Sequence, residues 1–300
     1  MNTDRLTKGL HYAYHALSTP LSTACLLSSR KIDPAYGMSP AKKQWLGARM
    51  MLNNIRIRSG TIYKLHLAMA LKLLEMSPGV KGDIVECGSW KGGSAANLSL
   101  VAKLTGRRLK IFDSFQGLPP PREDDREAHL YKAGDYSGSL AEVKENIRKY
   151  GFIECCDFIP GWFEDTLPKL DSPVVLAFLD VDLEDSLATC VRNLWPHIVD
   201  GGYLFTDECL NPSYISLFFS ERWWKENLDT SPPGLIGGGT GLGLGTFYVG
   251  PHTDRQSHPL QYPGTGAYTQ KNAMTGLWTY YPRTASRTDR GRDVRESPRT

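Results

Sequence analysis

The segment FLDVDLEDS (178–186) leads from an apolar strand directly into four carboxylates. A buried carboxylate is costly unless it is paired or bound to a metal, so Asp180 and Asp182 should lie either at a water-filled edge or beside a cation. A later apolar run, GGYLFTDE, ends in the same way with Asp207 and Glu208. If the two runs are neighbouring strands, Asp180, Asp207 and Glu208 converge at one rim, where three hard oxygen ligands would suit Mg²⁺. The alternative is that these acids cap the helices that follow.

A glycine-rich turn, ECGSWKGG (86–93), follows an earlier β-rich run. Its glycines would let the backbone approach a ligand closely, and the helix after it offers free N–H groups. The dinucleotide fingerprint G-x-G-x-x-G would need glycine where Glu86 or Ser89 stands, so a pyrophosphate is disfavoured. An acid at the end of the strand suits a cationic cofactor instead, although a glycine turn between a strand and a helix can also be purely structural.

Two further features follow the next strands. Asp113 comes 27 residues after Glu86, near where nucleotide-binding α/β folds place an acid for ribose hydroxyls. The alternative is a helix-capping Asp-Ser pair. Trp162 would offer an aromatic face to a purine or anchor the edge of a core. The acid, the glycines, the ribose carboxylate and the aromatic wall occur in the order that sites for S-adenosylmethionine use.

The elements that must position these residues alternate between strand and helix. β-rich runs are predicted at 83–88, 108–115, 157–163, 173–182 and 201–208, and helices at 40–57, 61–75, 92–106, 139–151, 186–198 and 213–228. Two later β-rich runs, 245–250 and 275–282, predict a closing antiparallel pair. This alternation indicates βαβ units and therefore an α/β fold around a mostly parallel sheet. The glycine-rich stretch 234–245 matches no phosphate-binding pattern and is predicted to be a hairpin loop.

Composition narrows the function further. The chain has 300 residues and a net charge of +3, which is too mild to indicate nucleic-acid binding. No stretch approaches ~20 uninterrupted apolar residues, so no membrane span is predicted. The six cysteines show neither CxxC spacing nor a cluster with histidines, which argues against zinc and indicates reduced thiols in a cytoplasmic protein. The arginine-rich tail 284–300 is predicted to be disordered.

Six motifs in a fixed order resemble the macrocin O-methyltransferase (TylF-type) family. They are DIVECGSWKGGSA, DSFQGLPPP, SLAEVKENIRKYG, FIPGWFEDTLP, FLDVDLEDS and DGGYLFTDE, and they cover about half of the chain, residues 60–215. Members of this family are S-adenosyl-L-methionine-dependent enzymes that methylate sugar hydroxyls on natural products. The resemblance implies a class I methyltransferase Rossmann-like sheet with helices on both faces, a divalent metal such as Mg²⁺, a glycosylated small-molecule acceptor and a homo-oligomer.

The resemblance also implies roles for individual residues. Glu86, Gly88 and Gly92 would hold the methionine part of the cofactor, and Ser89 and Gly93 are further cofactor-binding residues. Asp113 with Ser114 would hold the ribose, and Trp162 would lie near the adenine. The metal would be held by Asp180, Asp207 and Glu208. The chain departs from the family at Val181, where glycine is usual, and at Glu208, where a second aspartate is usual. The role of Glu208 as a direct ligand is therefore the one most in question.

The general base is the remaining role. Asp182 stands two residues beyond Asp180 and is not needed as a ligand, so we expect it to take the proton of the acceptor hydroxyl. His129 and His197 are the next candidates, although each also fits a surface or helix-end histidine.

We predict three parts of the chain: an N-terminal helical extension (1–58), the methyltransferase domain (59–283) and the tail (284–300). The stretch 117–138 is long for a loop, so it is either a lid over the site or a solvated acidic excursion. The function alternatives are a nicotinamide dehydrogenase, a metal-dependent hydrolase and a methyltransferase-fold protein that binds without catalysis.

Overall fold

The computed structural model describes residues 23–24, 26–122, 130–207, 212–235 and 266–272. Within these residues, six strands form one sheet in the order β3-β2-β1-β4-β5-β6. The strands are β1 (Asp83–Cys87), β2 (Leu109–Asp113), β3 (Cys156–Pro160), β4 (Val174–Leu179), β5 (Ile198–Thr206) and β6 (Ala267–Gln270). The first five pair in parallel and β6 pairs antiparallel to β5. The predicted mostly parallel α/β sheet is therefore confirmed.

The described helices connect the strands and cover both faces of the sheet. They are α1 (Pro40–Arg56), α2 (Tyr63–Glu75), α3 (Gly93–Thr105), α4 (Leu140–Tyr150), α5 (Phe163–Thr166), α6 (Glu184–Leu194), α7 (Pro212–Leu217) and α8 (Glu221–Leu228). Buried residues of α1 to α4 pack on one face, where Ile84 and Leu176 point. Buried residues of α6 and α8 pack on the opposite face, against Val85 and Leu179.

Serine hydroxyls cap the first turns of α1 and α4. The Ser39 hydroxyl accepts from the Lys42 N–H before α1, and the Ser139 hydroxyl accepts from the Glu142 N–H before α4. Among the described contacts, the Glu142 carboxylate does not return a hydrogen bond to the Ser139 N–H. The Glu142 carboxylate instead accepts from Lys91 Nζ at 2.7 Å, which ties α4 to the glycine-rich turn.

Of the predictions for the C-terminal part of the chain, one was wrong and others concern segments outside the described residues. The single helix 213–228 is two helices, because Ser220 leaves the helical conformation and its hydroxyl caps the Trp223 N–H. The β-rich runs 245–250 and 275–282 and the loop 234–245 lie wholly or largely outside the described residues, as do the tail 284–300 and Cys25 and Cys209. The antiparallel edge strand is β6, a segment that the sequence patterns did not indicate. The cysteines within the described ranges, Cys87, Cys155, Cys156 and Cys190, are all buried.

A buried polar network ties α1 to α2 and α3. Asn97 of α3 accepts from Asn53 Nδ2 at 2.9 Å and donates to Asn54 Oδ1 at 3.0 Å. Its amide nitrogen also lies 2.8 Å from Nδ1 of His66, which is buried in α2. Burial lowers the pKa of His66 to about 3, so this histidine is neutral at physiological pH. α1 is thus joined to α2 and α3 by side-chain hydrogen bonds as well as by apolar packing.

None of the helices in the described part of the chain combines the length and the apolar character needed to cross a bilayer.

We expect Asn97→Ala to lower the free energy of unfolding by about 2–4 kcal/mol, because the substitution removes the hydrogen bonds of Asn97 to Asn53 and Asn54 and leaves a cavity at a buried position. Urea unfolding monitored by circular dichroism measures the change. Lys103→Ala, at an exposed position of the same helix, is the control and should change the value by about 0.5 kcal/mol or less. Equal effects of the two substitutions would show that the network does not stabilise the chain.

Candidate active site

The strand ends bring most of the predicted site residues to one edge. Cys87 of β1 is paired with both Phe112 and Leu179, and Leu179 is paired with Thr206. The residues that follow these four positions are Gly88, Asp113, Asp180 and Asp207. They therefore lie at the carboxyl edge of the sheet, where strand order reverses between β1 and β4 and where α/β folds bind ligands.

Backbone hydrogen bonds extend the sheet through these residues. The N–H groups of Gly88, Asp180 and Asp207 donate to the neighbouring strand over 3.0, 3.0 and 2.9 Å. Gly88 has a φ of +83°, and a Cβ at this position would lie 1.9 Å from the backbone oxygen of Asp180. Glycine is required here for both reasons, since an L side chain would be strained and would push β1 and β4 apart.

The glycine-rich turn leads into α3 with its amide groups uncapped by any side chain. Gly92 is the N-cap residue, with a φ of +79°, and Gly93 is the first residue of the helix. The N-terminus of α3 therefore presents backbone N–H groups and the positive end of the helix dipole toward the edge, which suits an anionic group of a ligand.

Glu86 is fully buried one residue before the edge. Neither of its carboxylate oxygens has a hydrogen-bond partner of normal geometry among the described residues. Burial raises the pKa of Glu86 from 4.5 to about 8, the nearby Ser94 hydroxyl offsets part of this, and the negative charges of Asp180 and Asp113 add to it. The group is therefore largely protonated at neutral pH, and a cation bound beside it would favour its ionised form.

The two residues predicted to hold ribose are also engaged in their own turn. The Asp113 carboxylate accepts from the Ser89 N–H at 2.6 Å, from the Ser89 hydroxyl at 3.0 Å and from the Phe115 N–H at 2.6 Å. The Ser114 hydroxyl accepts from the Gln116 N–H and donates to the Gly117 carbonyl. Because a carboxylate has about four acceptor positions, Asp113 keeps one for a ligand hydroxyl.

Only two of the three predicted metal ligands lie within the described residues. Asp180 and Asp207 end adjacent strands, and Glu208 lies outside the described residues. Within the described ranges, no three Asp, Glu, His or Cys side chains form a group that could hold a metal ion. Two carboxylates on neighbouring strands nevertheless fit Mg²⁺, which is commonly held by one or two carboxylates and keeps several waters.

Asp182 occupies a tight turn. Its φ is +58°, and the N–H of Leu183 donates to the Val181 carbonyl at 2.7 Å across it. The Tyr214 hydroxyl donates to the Asp182 carbonyl at 2.6 Å and holds the turn from α7. This left-handed conformation is uncommon outside glycine, asparagine and aspartate, and non-glycine residues held in it cluster at functional sites.

Trp162 follows β3 at the same edge. The predicted strand through Phe163 ends earlier, at Pro160, because Gly161 bends the chain and Trp162 is the N-cap of α5. The indole is partly exposed, and the Gly161 N–H beside it donates to the Asp113 carbonyl at 3.0 Å. The aromatic face and the Asp113 carboxylate are thus joined through neighbouring backbone.

The link between α1 and α2 also reaches the edge, which the sequence did not indicate. The Thr61 hydroxyl donates to Asp180 Oδ2 at 2.8 Å, and a Cβ on Gly60 would lie 3.9 Å from the same oxygen. A Cβ on Gly93 would lie 3.0 Å from Ser59 Cβ. The segment 57–62 therefore lies over the ends of β1 and β4. No local pattern in the sequence of this segment predicts the contact.

A family model described as Macrocin-O-methyltransferase (TylF) matches residues 64–228. The 8-demethyl-8-(2,3-dimethoxy-alpha-L-rhamnosyl)-tetracenomycin-C 4'-O-methyltransferase of Streptomyces olivaceus is 36% identical over 143 residues, which cover 44% of this chain and 55% of that protein. The demethyldecarbamoylnovobiocin O-methyltransferase of Streptomyces niveus is 36% identical over 140 residues, 43% of this chain and 53% of that protein. The chain spans about half the length of the curated relatives it matches.

Among solved structures, the O-methyltransferase NovP superposes with a TM-score of 0.54 and 23% identity, covering 86% of this chain and 100% of NovP. This likeness shows the fold, and the predicted class I methyltransferase-like architecture is confirmed.

We expect Gly88→Ala to destabilise the chain by at least about 3 kcal/mol, because the new Cβ would overlap the Asp180 backbone. Gly106→Ala is the matched control: its φ is +66° but no heavy atom lies within 4 Å, so backbone strain of about 1–2 kcal/mol is its main effect. Urea unfolding of both variants measures the difference, which isolates the contact from the strain. Equal losses would contradict the close approach of β1 to β4.

We expect Glu86→Gln to gain stability relative to the wild type as pH rises. Folded Glu86 holds its proton up to about pH 8 while the unfolded group loses it near 4.5, so the wild-type free energy of unfolding falls across that window. The difference between variant and wild type should grow by more than about 1 kcal/mol between pH 5 and 8.5. Denaturant unfolding at several pH values measures it, with the exposed Glu145→Gln as control. Parallel curves for Glu86→Gln and wild type would show that Glu86 does not carry the shift.

Proposed function

Because the chain belongs to the macrocin O-methyltransferase (TylF) family, we propose that it is an S-adenosyl-L-methionine-dependent O-methyltransferase. The acceptor is a hydroxyl of a glycosylated natural product, and a divalent cation such as Mg²⁺ assists. The observation that carries the proposal is Glu86, a buried acid without a hydrogen-bond partner in the described chain, beside a glycine turn at the carboxyl edge. Family membership argues against the dehydrogenase and hydrolase alternatives.

The cofactor proposal assigns parts of S-adenosylmethionine to sets of residues at the edge. S-adenosylmethionine carries a positive sulfonium and a positive ammonium, either of which would favour ionised Glu86. Gly88 and Gly92 leave room at the turn, Ser89 and Gly93 flank it, and the first turn of α3 suits the carboxylate of the cofactor. Asp113 with Ser114 would take the ribose, and Trp162 the adenine.

The metal proposal rests on Asp180 and Asp207, with Glu208 as a third candidate outside the described residues. When bound, a divalent cation lowers the pKa of a coordinated hydroxyl. Thr61 would hold the Asp180 carboxylate in one orientation through its 2.8 Å hydrogen bond. An acceptor with a vicinal diol could offer the cation a second oxygen, which would fix the orientation of the acceptor.

Asp182 is the proposed general base. Its carboxylate would take the proton of the acceptor hydroxyl, and a cofactor held by Glu86, the glycine turn and Asp113 would supply the methyl group that the acceptor oxygen receives. The products are a methyl ether and S-adenosylhomocysteine. The tight turn fixes the Asp182 backbone, and orientation of the two reactants supplies most of the remaining acceleration.

Calorimetry with S-adenosylhomocysteine, with and without Mg²⁺, tests the cofactor and metal proposals on wild type and Asp180→Ala. We expect micromolar cofactor-product binding by both proteins and a Mg²⁺ signal in the wild type alone. No binding of S-adenosylhomocysteine by the wild type would sink the methyltransferase proposal. An unchanged Mg²⁺ signal in Asp180→Ala would remove Asp180 from the metal site.

We expect Asp182→Asn to lower kcat by at least about 100-fold while leaving S-adenosylhomocysteine affinity within about twofold. Asparagine tolerates the left-handed backbone, so the turn should persist. Turnover is measured on the acceptors named for the two relatives, the demethylated rhamnosyl tetracenomycin and demethyldecarbamoylnovobiocin. Asp185→Asn, at an exposed position three residues on, is the control. Full turnover by Asp182→Asn would make the base assignment wrong, and cofactor binding without turnover of any acceptor by the wild type would favour a non-catalytic binding protein.

A further inference from the structure

An aromatic pair outside the residues assigned so far lies beside the segment 57–62, which contacts Asp180 through Thr61. The rings of Trp90 and Tyr136 meet edge to face with centroids 5.2 Å apart. The guanidinium of Arg58, from the link between α1 and α2, lies over the Trp90 ring at 5.1 Å. These three side chains come from three separate segments, so their meeting is a product of the fold.

The polar ends of this group are unused. Within the described chain, the Tyr136 hydroxyl makes no hydrogen bond and the Arg58 guanidinium makes no ion pair. Burial raises the pKa of Tyr136, the carboxylates of Asp182, Asp180 and Asp135 raise it further, and Arg58 lowers it. The phenol therefore lies within electrostatic reach of the proposed base and the proposed metal ligand, with 45% of the residue exposed.

The backbone holds both aromatic residues in strained conformations. Trp90 has a φ of +44° and Tyr136 a φ of +54°, values that are rare for bulky side chains. Gly138 packs so closely that a Cβ there would lie 1.8 Å from the Trp90 carbonyl oxygen. Strain of this kind persists where surrounding contacts impose it, and it concentrates where a ligand is held.

Tyr136 stands at the anchored base of the long loop. The Leu118 N–H donates to the Asp135 carbonyl and the Gly134 N–H donates to the Leu118 carbonyl, both at 2.9 Å. These bonds close the loop between residues 118 and 134, and Tyr136 follows directly. Its position is thus set by the closed base of the loop.

We propose that Trp90, Tyr136 and Arg58 form the wall that holds the acceptor sugar over Asp180 and Asp182, with the Tyr136 hydroxyl as a positioning contact to a sugar oxygen. This inference rests on the proposed function and adds the residues that recognise its substrate. Flat aromatic faces with a few polar groups suit a neutral ring rich in hydroxyls, because its C–H faces pack on the rings and its hydroxyls meet the phenol, the guanidinium and the carboxylates.

Saturation-transfer NMR with methyl α-L-rhamnopyranoside tests the wall, since it needs no knowledge of the natural acceptor. The experiment is run on wild type, Tyr136→Phe and Trp90→Leu, with and without S-adenosylhomocysteine and Mg²⁺. We expect transfer to the ring protons of the sugar in the wild type. Tyr136→Phe keeps the packing on Trp90 and should weaken sugar binding about 5- to 10-fold by losing one hydrogen bond, whereas Trp90→Leu should abolish it.

The control is Tyr150→Phe, whose ring lies against Lys149 and Arg56 instead, and which should bind the sugar as the wild type does. For an acceptor that is turned over, Tyr136→Phe should raise KM about 5- to 10-fold with little change in kcat and unchanged affinity for S-adenosylhomocysteine. Failure of the wild type to bind the sugar, or equal binding by wild type and Tyr136→Phe, would overturn the inference. Failure to bind S-adenosylhomocysteine would instead overturn the proposed function, so the two failures are distinguishable.

Discussion

The close approach of Gly88 to the backbone of Asp180 is the contact on which the rest of the edge depends. β1 pairs with β2 on one side and β4 on the other, and its last residue is paired with a residue of each of these strands. Only a residue without a side chain lets the chain turn there while the ladder continues to Asp180. The position of the glycine turn, the start of α3 and the two strand-end acids of β4 and β5 all follow from that spacing.

The same edge gathers like charges. Burial raises the pKa of Glu86, and the negative charges of Asp180 and Asp113 raise it further, so that Glu86 keeps its proton at neutral pH. Hydrogen bonds from Ser89 and Thr61 stabilise the two outer carboxylates, whereas Glu86 has no such partner within the described chain. A cationic ligand beside Glu86 would favour the ionised form of this carboxyl, which would couple binding to protonation and to stability.

Local signatures explain which parts could be predicted from the sequence. Apolar runs that stop at Asp180 and Asp207, and the glycines after Glu86, mark strand ends in any context, so the sheet and its acidic edge were predictable. The break at Ser220 and the edge strand β6 were not, because serine does not prevent a helix and four residues carry little pattern. Thr61 and Tyr136 reach the edge only through tertiary contacts, and Glu142 bonds to Lys91 for the same reason. The turn residues around Tyr136 signalled a loop but not its direction.

The closed base of the long loop has a consequence for how such a chain diversifies. Since the bonds among Leu118, Gly134 and Asp135 join the loop ends, the residues between them form a module whose length and sequence can change without moving the strands. Tyr136 lies just outside that module and Asp113 just before it. Substitutions within the insert would then leave the carboxyl edge of the sheet intact, so that selection on the insert and selection for folding act on separate stretches of the chain.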